Sequence, residues 1–166
     1  MSTLATSLPP VVLGRADNAT ELANSLGRVY EIGGKLFRLV RMSASLSAAA
    51  TKVIVTAVSA GAPTWLCTTT TTANDWLAAG VIPTGQKGSD GTTALASGDY
   101  LLIQISGSCD VMSGGAIAAG GLVGTSTTAG KADDATVAAG VGAFGVALEA
   151  AAGADEATGI LLKGLV

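Results

Sequence analysis

The chain of 166 residues contains no histidine. Histidine is the usual general base of hydrolases, the central member of Ser-His-acid triads and a common zinc ligand. Its absence excludes hydrolysis by those routes. The sequence therefore predicts a protein that is not an enzyme and that has no cofactor and no bound metal, with a small enzyme using carboxylates alone as the remaining catalytic alternative.

Large and charged side chains are also scarce. Aromatic residues make up 4% of the chain and charged residues 13%, while hydrophobic residues, many of them alanine, reach 49%. With so few large anchors, we expect layers of small residues that gain much of their stability from contacts with other subunits. The composition thus predicts a homo-oligomer.

Long apolar runs are missing as well. The uncharged segment 111–130 is crowded with Gly, Ser and Thr, which makes it a poor membrane span. The first twelve residues have no basic segment and no apolar core, so we expect no secretory signal and synthesis in a cytoplasm. In that reducing compartment Cys67 and Cys109 are expected to be free thiols, although the pair could form one disulfide.

The net charge of −3 argues against nucleic acid as a partner, because phosphate binding requires a basic surface. The charge is unevenly distributed. Residues 1–58 hold six bases and three acids, or +3, whereas residues 89–166 hold two bases and eight acids, or −6. The two ends of the chain therefore differ in sign.

Residues 1–26 are predicted to form an extended N-terminal arm, since a Pro-Pro pair prevents regular helix or sheet pairing. So apolar an arm is expected to dock on a neighbouring molecule; the alternative is a disordered terminus. Asp17 or Asn18 could cap a short helix that ends near Leu26. The predicted binding residues of the arm are Leu4, Leu8, Pro9, Pro10, Val11, Val12 and Leu13.

The segment RVYEIGGKLFRLVRM contains two β-rich runs joined by Gly-Gly, which predicts a hairpin. In the resulting register Tyr30 faces Phe37, and we expect this aromatic pair on the core side, with Glu31 and Arg38 on the solvent side. The other predicted pairs are Ile32 with Lys35 and Arg28 with Leu39. The bases Arg28, Lys35, Arg38 and Arg41 either form an anion-binding patch or are solvated and paired, and we favour the second interpretation.

Further along, TKVIVTAV and DYLLIQISG are predicted strands, and WLAAG is predicted to be at most a helical turn after Asn74 or Asp75, ended by Gly80. The Gly- and Ser-rich residues 83–98 mark a soft boundary. It divides the chain into a hairpin-containing β-subdomain, residues 27–88, and a barrel-like subdomain, residues 89–166. The two could also form one continuous domain.

A recurring phrase in the sequence consists of small residues followed by a predicted turn and a predicted strand. Its four copies are SLSAAATKVIV, ALASGDYLLIQI, AIAAGGLVGTS and EAAAGADEATGILL. Their uneven spacing predicts an all-β protein, a small β-barrel or β-sandwich body with the extended arm, and not a solenoid. The closing residues are predicted as strand, turn and strand; the rival is a helix through ALEAAAGADEA, which Gly153 would weaken.

Several motifs imitate chemical sites. Gly140, Gly142 and Gly145 match the dinucleotide fingerprint, but too few residues follow for a βαβ unit. The segment GTSTTAGKA imitates a phosphate-binding loop with the wrong spacing. Trp65, Trp76 and Tyr100 could stack on bases or sugars only if exposed together. Asp133–Asp134 and Asp155–Glu156 are interpreted as solvated turns that bind a hard cation weakly at most.

The order of these phrases, from GRVYEIGGKLFRLVRMSASLSAAATKVIV to GVGAFGVALEAAAGADEATGILLKGLV, resembles the head decoration (cement) proteins of tailed bacteriophages. The resemblance covers residues 27–166 in outline. It implies an all-β protein that trimerises on the outer capsid surface of the virion, after synthesis in the host cytoplasm, and clasps neighbouring major capsid subunits. It brings no catalytic residues. The alternative function is a virion fibre or surface adhesin that binds glycans.

Overall fold

The computed structural model describes residues 19–85, 94–135 and 142–164, and it confirms the all-β prediction. Within these residues the elements are one short helix and ten strands. They are α1 Ala19–Asn24, β1 Val29–Ile32, β2 Lys35–Met42, β3 Val53–Ser59, β4 Ala62–Thr68, β5 Ala78–Val81, β6 Tyr100–Met112, β7 Leu122–Thr125, β8 Ala132–Asp134, β9 Gly145–Ala147 and β10 Ala157–Lys163. Helix α1 ends close to the predicted position; its predicted caps, Asp17 and Asn18, lie outside the described residues.

Five strands close into a β-barrel, which we call the first ring. They follow the order β2-β4-β3-β5-β6, and antiparallel pairing of β6 with β2 completes the closure. The interior is filled by branched aliphatic side chains that are fully buried, among them Val40, Ile54, Leu101 and Ile103. Closure leaves these strands with hydrogen-bonded neighbours on both sides, so the ring has no free edge.

Strand β6 also begins a second ring, in the order β6-β10-β9-β7-β8. This ring closes through a single parallel bridge between Ser113, just after β6, and Ala132 of β8. The backbone N–H of Gly114 donates to the carbonyl of Ala132 at 2.7 Å. Because both rings contain β6, the two rings pack against each other. The predicted subdomain boundary near residue 88 stays a prediction.

The two rings repeat one plan. In the first ring β3 pairs with β4 and β5, and β5 pairs with β6; in the second ring β7 pairs with β8 and β9, and β9 pairs with β10. The registers match residue by residue. The row Val53–Val81–Gln104 of the first ring corresponds to the row Leu122–Val146–Leu161 of the second.

The recurring small-residue phrase marks this repeat. Leu46 and Leu95 exchange two backbone hydrogen bonds of 2.8 Å in an isolated antiparallel bridge. Ile117 and Ala151 form the corresponding bridge with two bonds of 2.9 Å. Each phrase therefore enters its ring by pairing with another copy of the same phrase, and the four lead into β3, β6, β7 and β10.

The predicted hairpin register is confirmed and Glu31 is exposed as predicted, but the faces assigned to Tyr30 and Arg38 are wrong. Tyr30 pairs with Phe37, yet the Tyr30 side chain is 38% exposed, whereas Arg38 is only 5% exposed. The reason is that β1 is an extra strand outside the first ring. Arg38 alternates with Val40 and Met42, whose side chains lie in the ring interior, so its face is covered.

The predicted helical turn at WLAAG is also wrong. Asp75 Oδ1 accepts a hydrogen bond from the Leu77 N–H at 2.9 Å, which forms a tight turn, and the chain then enters strand β5. Gly80 lies inside that strand and does not end a helix. The closing segment, in contrast, is strand, turn and strand as predicted, although β9 is shorter than expected.

Candidate assembly surfaces

The predicted arm residues Leu4, Leu8, Pro9, Pro10, Val11, Val12 and Leu13 lie outside the described residues, so arm docking stays a prediction. The structure does describe where the chain leaves α1 and joins the first ring. The Gly27 N–H donates to the Leu39 carbonyl at 2.9 Å, and the Leu39 N–H donates to the Arg28 carbonyl at 3.0 Å. Gly27 has φ +83°, and a Cβ there would overlap the indole of Trp65. This junction therefore requires glycine.

The four bases of the predicted anion patch do not converge on one free site. The Arg38 guanidinium lies 4.2 Å from the centre of the Trp65 ring, a cation–π contact, and burial lowers the pKa of Arg38. Arg41 lies over the Tyr100 ring at 5.6 Å. Lys35 donates to the Ser108 carbonyl at 2.7 Å. Three of the four bases are thus engaged by neighbours, as the favoured interpretation expected.

The three candidate aromatic residues do not form a common platform. Tyr100 is 5% exposed and Trp65 is half-buried between Gly27 and Arg38. Trp76 is 68% exposed, the highest value among the exposed large hydrophobic residues of the described chain. Only Trp76 therefore has a ring face available to a ligand or partner.

The acidic pairs take part in turns and ion pairs. Asp155 forms a salt bridge of 2.7 Å with Lys131, and Glu156 Oε2 accepts from the Ala152 N–H at 2.8 Å. Asp133 accepts from the Ser126 hydroxyl at 3.4 Å. Within residues 19–85, 94–135 and 142–164 there is no group of three or more side chains suited to hold a metal ion. No helix in the same ranges is long and apolar enough to cross a membrane.

Both cysteines are free, as predicted. Burial raises the pKa of the Cys67 thiol to about 12, although a hydrogen bond from Thr56 and the charge of Arg38 act in the opposite direction. Burial likewise raises the pKa of Cys109 to about 12, against the charge of Lys35. Since the thiolate is the reactive form, both side chains behave as small core residues at neutral pH.

Of the glycine fingerprint, Gly142 and Gly145 lie at close backbone contacts, and Gly140 lies outside the described residues. Gly142 and Gly145 lead into β9, which is followed by a turn and β10, so there is no helix N-terminus for a phosphate in this described segment. A Cβ on Gly145 would lie 2.9 Å from the Leu161 carbonyl oxygen, and one on the equivalent Gly80 would lie 2.7 Å from that of Gln104. The segment GTSTTAGKA, which imitates a phosphate-binding loop in sequence, forms the β7–β8 hairpin.

An apolar stripe crosses the outer face of the second ring. Leu161 lies opposite Val146, which lies opposite Leu122, and Leu148 follows on the same face. Leu161 is 46% exposed and Leu148 is 55% exposed. We call these four residues the apolar stripe. No single signal in the sequence marks it, because its members come from three strands that are distant in the chain.

Comparison with known proteins gives a likeness of fold. No family model matches the sequence, and no curated protein matches it. The structure is similar to the N base of head fiber gp8.5 of bacteriophage phi29, with a TM-score of 0.52 and 14% identity over 78% of this chain and 97% of that chain. At this identity the likeness concerns the fold alone. The chain therefore has a fold similar to that of a phage head protein.

Proposed function

We propose that this protein is a structural virion protein, a decoration (cement) protein that binds the outer capsid surface of a phage head. It acts as a homo-oligomer, a trimer, and stabilises the shell by clasping neighbouring major capsid subunits. The observation that carries the proposal is the similarity to the phi29 head fiber base, which agrees with the independent sequence resemblance. The protein is made in the host cytoplasm and has no nucleic-acid or membrane partner.

The architecture supports a role in binding. Both rings are filled by hydrophobic side chains, with Val40, Ile54, Val123 and Ile160 each at 0% exposure. The surface carries exposed apolar side chains at several positions, including Val29, Leu148 and Leu161. A rigid body with such surfaces and an apolar arm can contact several subunits at once, and weak contacts that act together give high avidity.

The arm is proposed to lie along a capsid subunit and to add strand-type hydrogen bonds to it. Its root is fixed, because the backbone of Gly27 and Arg28 is hydrogen-bonded to Leu39 in the first ring. Residues 1–18, if fully extended, would reach up to about 60 Å from the start of α1.

Deletion of residues 1–13 is expected to leave a folded oligomer that no longer decorates shells. The reason is that the deleted segment is proposed to supply contacts to the shell, whereas the strands of the two rings begin at Lys35. Co-sedimentation with empty phage shells measures the binding, and light scattering and circular dichroism on the same sample check the oligomer and the fold. Undiminished co-sedimentation of the truncated protein, next to the full-length control, would contradict the role of the arm.

The exposed Trp76 favours a second candidate, a virion fibre or adhesin that binds glycans, because an open indole face is a common sugar-stacking surface. In that case Trp76→Ala is expected to abolish binding to a glycan array, while Trp65→Phe, at a ring already covered by Arg38, leaves it unchanged. An array on which the wild-type protein binds nothing would eliminate this candidate.

A further inference from the structure

The repeat of the two rings shows how one ring covers another. On the outer face of the first ring, Val53 lies opposite Val81, which lies opposite Gln104. These side chains are 1%, 0% and 4% exposed. Val53 and Val81 belong to the same hydrophobic cluster as Val111 and Phe144 of the second ring. Val53 and Val81 of this outer row are therefore buried against the second ring.

The corresponding row of the second ring has no such cover. Leu122, Val146 and Leu161 occupy the positions equivalent to Val53, Val81 and Gln104. Leu161 remains 46% exposed, and Leu122 and Val146 are only half-buried. Within the described ranges no third ring follows. Among the described residues the apolar stripe is therefore open, at the place equivalent to that where the first ring meets the second.

The geometry points to a second copy of this chain as the occupant of the apolar stripe, with the stripe of one copy docked on the first ring of the next. This inference rests on the oligomer of the proposed function and adds the surface that forms it. Docking on another ring of the same architecture repeats the type of contact already made inside the chain. It also buries exposed leucines, which stabilises association.

Charge selects this head-to-tail arrangement over contact between two stripes. Asp110 and Glu149 are exposed and lie near the stripe, and residues 89–166 carry a net charge of −6. Two stripes face to face would bring these acids together. The first ring instead exposes Arg41, and Arg28, also exposed, lies at the junction with that ring; both belong to residues 1–58, whose net charge is +3. A contact between different surfaces of successive copies gives a closed cyclic oligomer when the rotation from one copy to the next divides a full turn, as in a trimer.

The test introduces a charge into the stripe of the full chain. Leu161→Glu is expected to reduce the light-scattering mass from that of the oligomer to that of one chain, with a dissociation constant at least about tenfold higher, because a buried interface leucine becomes a carboxylate. The matched control is Trp76→Glu, which places the same charge on a more exposed apolar residue and is expected to keep the wild-type mass. Leu148→Glu, outside the strand ladder, repeats the test if Leu161→Glu fails to fold by circular dichroism.

Three results with the variants would overturn the inference. They are a wild-type mass for both stripe variants, dissociation by Trp76→Glu in their place, and loss of the oligomer on removal of residues 1–13, which would assign the stripe to the arm. A wild-type monomer that still co-sediments with shells would also overturn it; that result would keep the proposed shell binding and refute the proposed trimer. Conversely, a wild-type oligomer that Leu161→Glu dissociates but that ignores shells would refute the proposed function and support this inference.

Discussion

Phe144→Ala is expected to lower the free energy of unfolding by about 3 to 5 kcal/mol, the range for removal of a buried aromatic ring. Phe144 is 1% exposed and is the aromatic member of the cluster that fills the second ring. Its neighbours in that cluster are alanine, valine, isoleucine and leucine residues. Short side chains fixed on paired strands cannot collapse into the vacated space, so the cavity persists.

Urea unfolding followed by circular dichroism measures this loss. The control is Trp76→Ala, which removes a larger aromatic side chain from a position that is 68% exposed. It is expected to change the free energy of unfolding by less than about 0.5 kcal/mol, because a surface side chain loses little burial. Equal losses for the two variants would show that the second ring is not packed around Phe144.

Local features of the sequence predicted much of the fold. The Gly-Gly pair set the hairpin register of β1 and β2, including the pairing of Tyr30 with Phe37, because a two-residue turn leaves one choice of partners. Runs of β-branched residues marked β3 and β6. The repeated small-residue phrase marked the four strand entries. Each of these signals acts over a few residues and does not depend on the rest of the chain.

Features set by distant pairing were missed. Strand β5 is the sequence AAGV, whose first three residues have low strand propensity, and it is a strand because β3 and β6 lie on either side of it. The burial of Arg38 depends on β2 entering a closed ring, and no hairpin pattern shows this. The sharing of β6 was hidden for the same reason, since one strand of 13 residues serves two rings with its two ends.

The two candidate surfaces also differ in whether the sequence alone reveals them. The apolar arm could be recognised from composition, because consecutive residues carry the signal. The apolar stripe could not, since Leu122, Val146 and Leu161 become neighbours only through the β7–β9–β10 register. The charge difference between the ends of the chain was visible at once. Its proposed use in orienting one copy against the next depends on the two rings, which the local patterns did not predict.

Gly145→Val is expected to lower the free energy of unfolding by about 3 kcal/mol, the upper part of the range for overpacking. A Cβ at this position would lie 2.9 Å from the Leu161 carbonyl oxygen, which is backbone and cannot rotate away. Strand β9 would have to separate from β10, which weakens the ladder that holds the apolar stripe together. Valine favours strands more than glycine does, so strand propensity alone predicts a gain in stability. The sign of the measured change in unfolding free energy decides between propensity and overpacking.

The matched control for this substitution is Gly153→Ala in the turn before β10. A Cβ on Gly153 would meet nothing within 4 Å, so alanine is expected to be neutral or to stabilise by up to about 1 kcal/mol through the unfolded chain. The equivalent change in the first ring, Gly80→Val, should cost as much as Gly145→Val, because its Cβ would lie 2.7 Å from the Gln104 carbonyl oxygen. Matching losses at Gly80 and Gly145 in urea unfolding would support one packing rule for both rings. A tolerated valine at either position would show that the neighbouring strands are not packed there as closely as described.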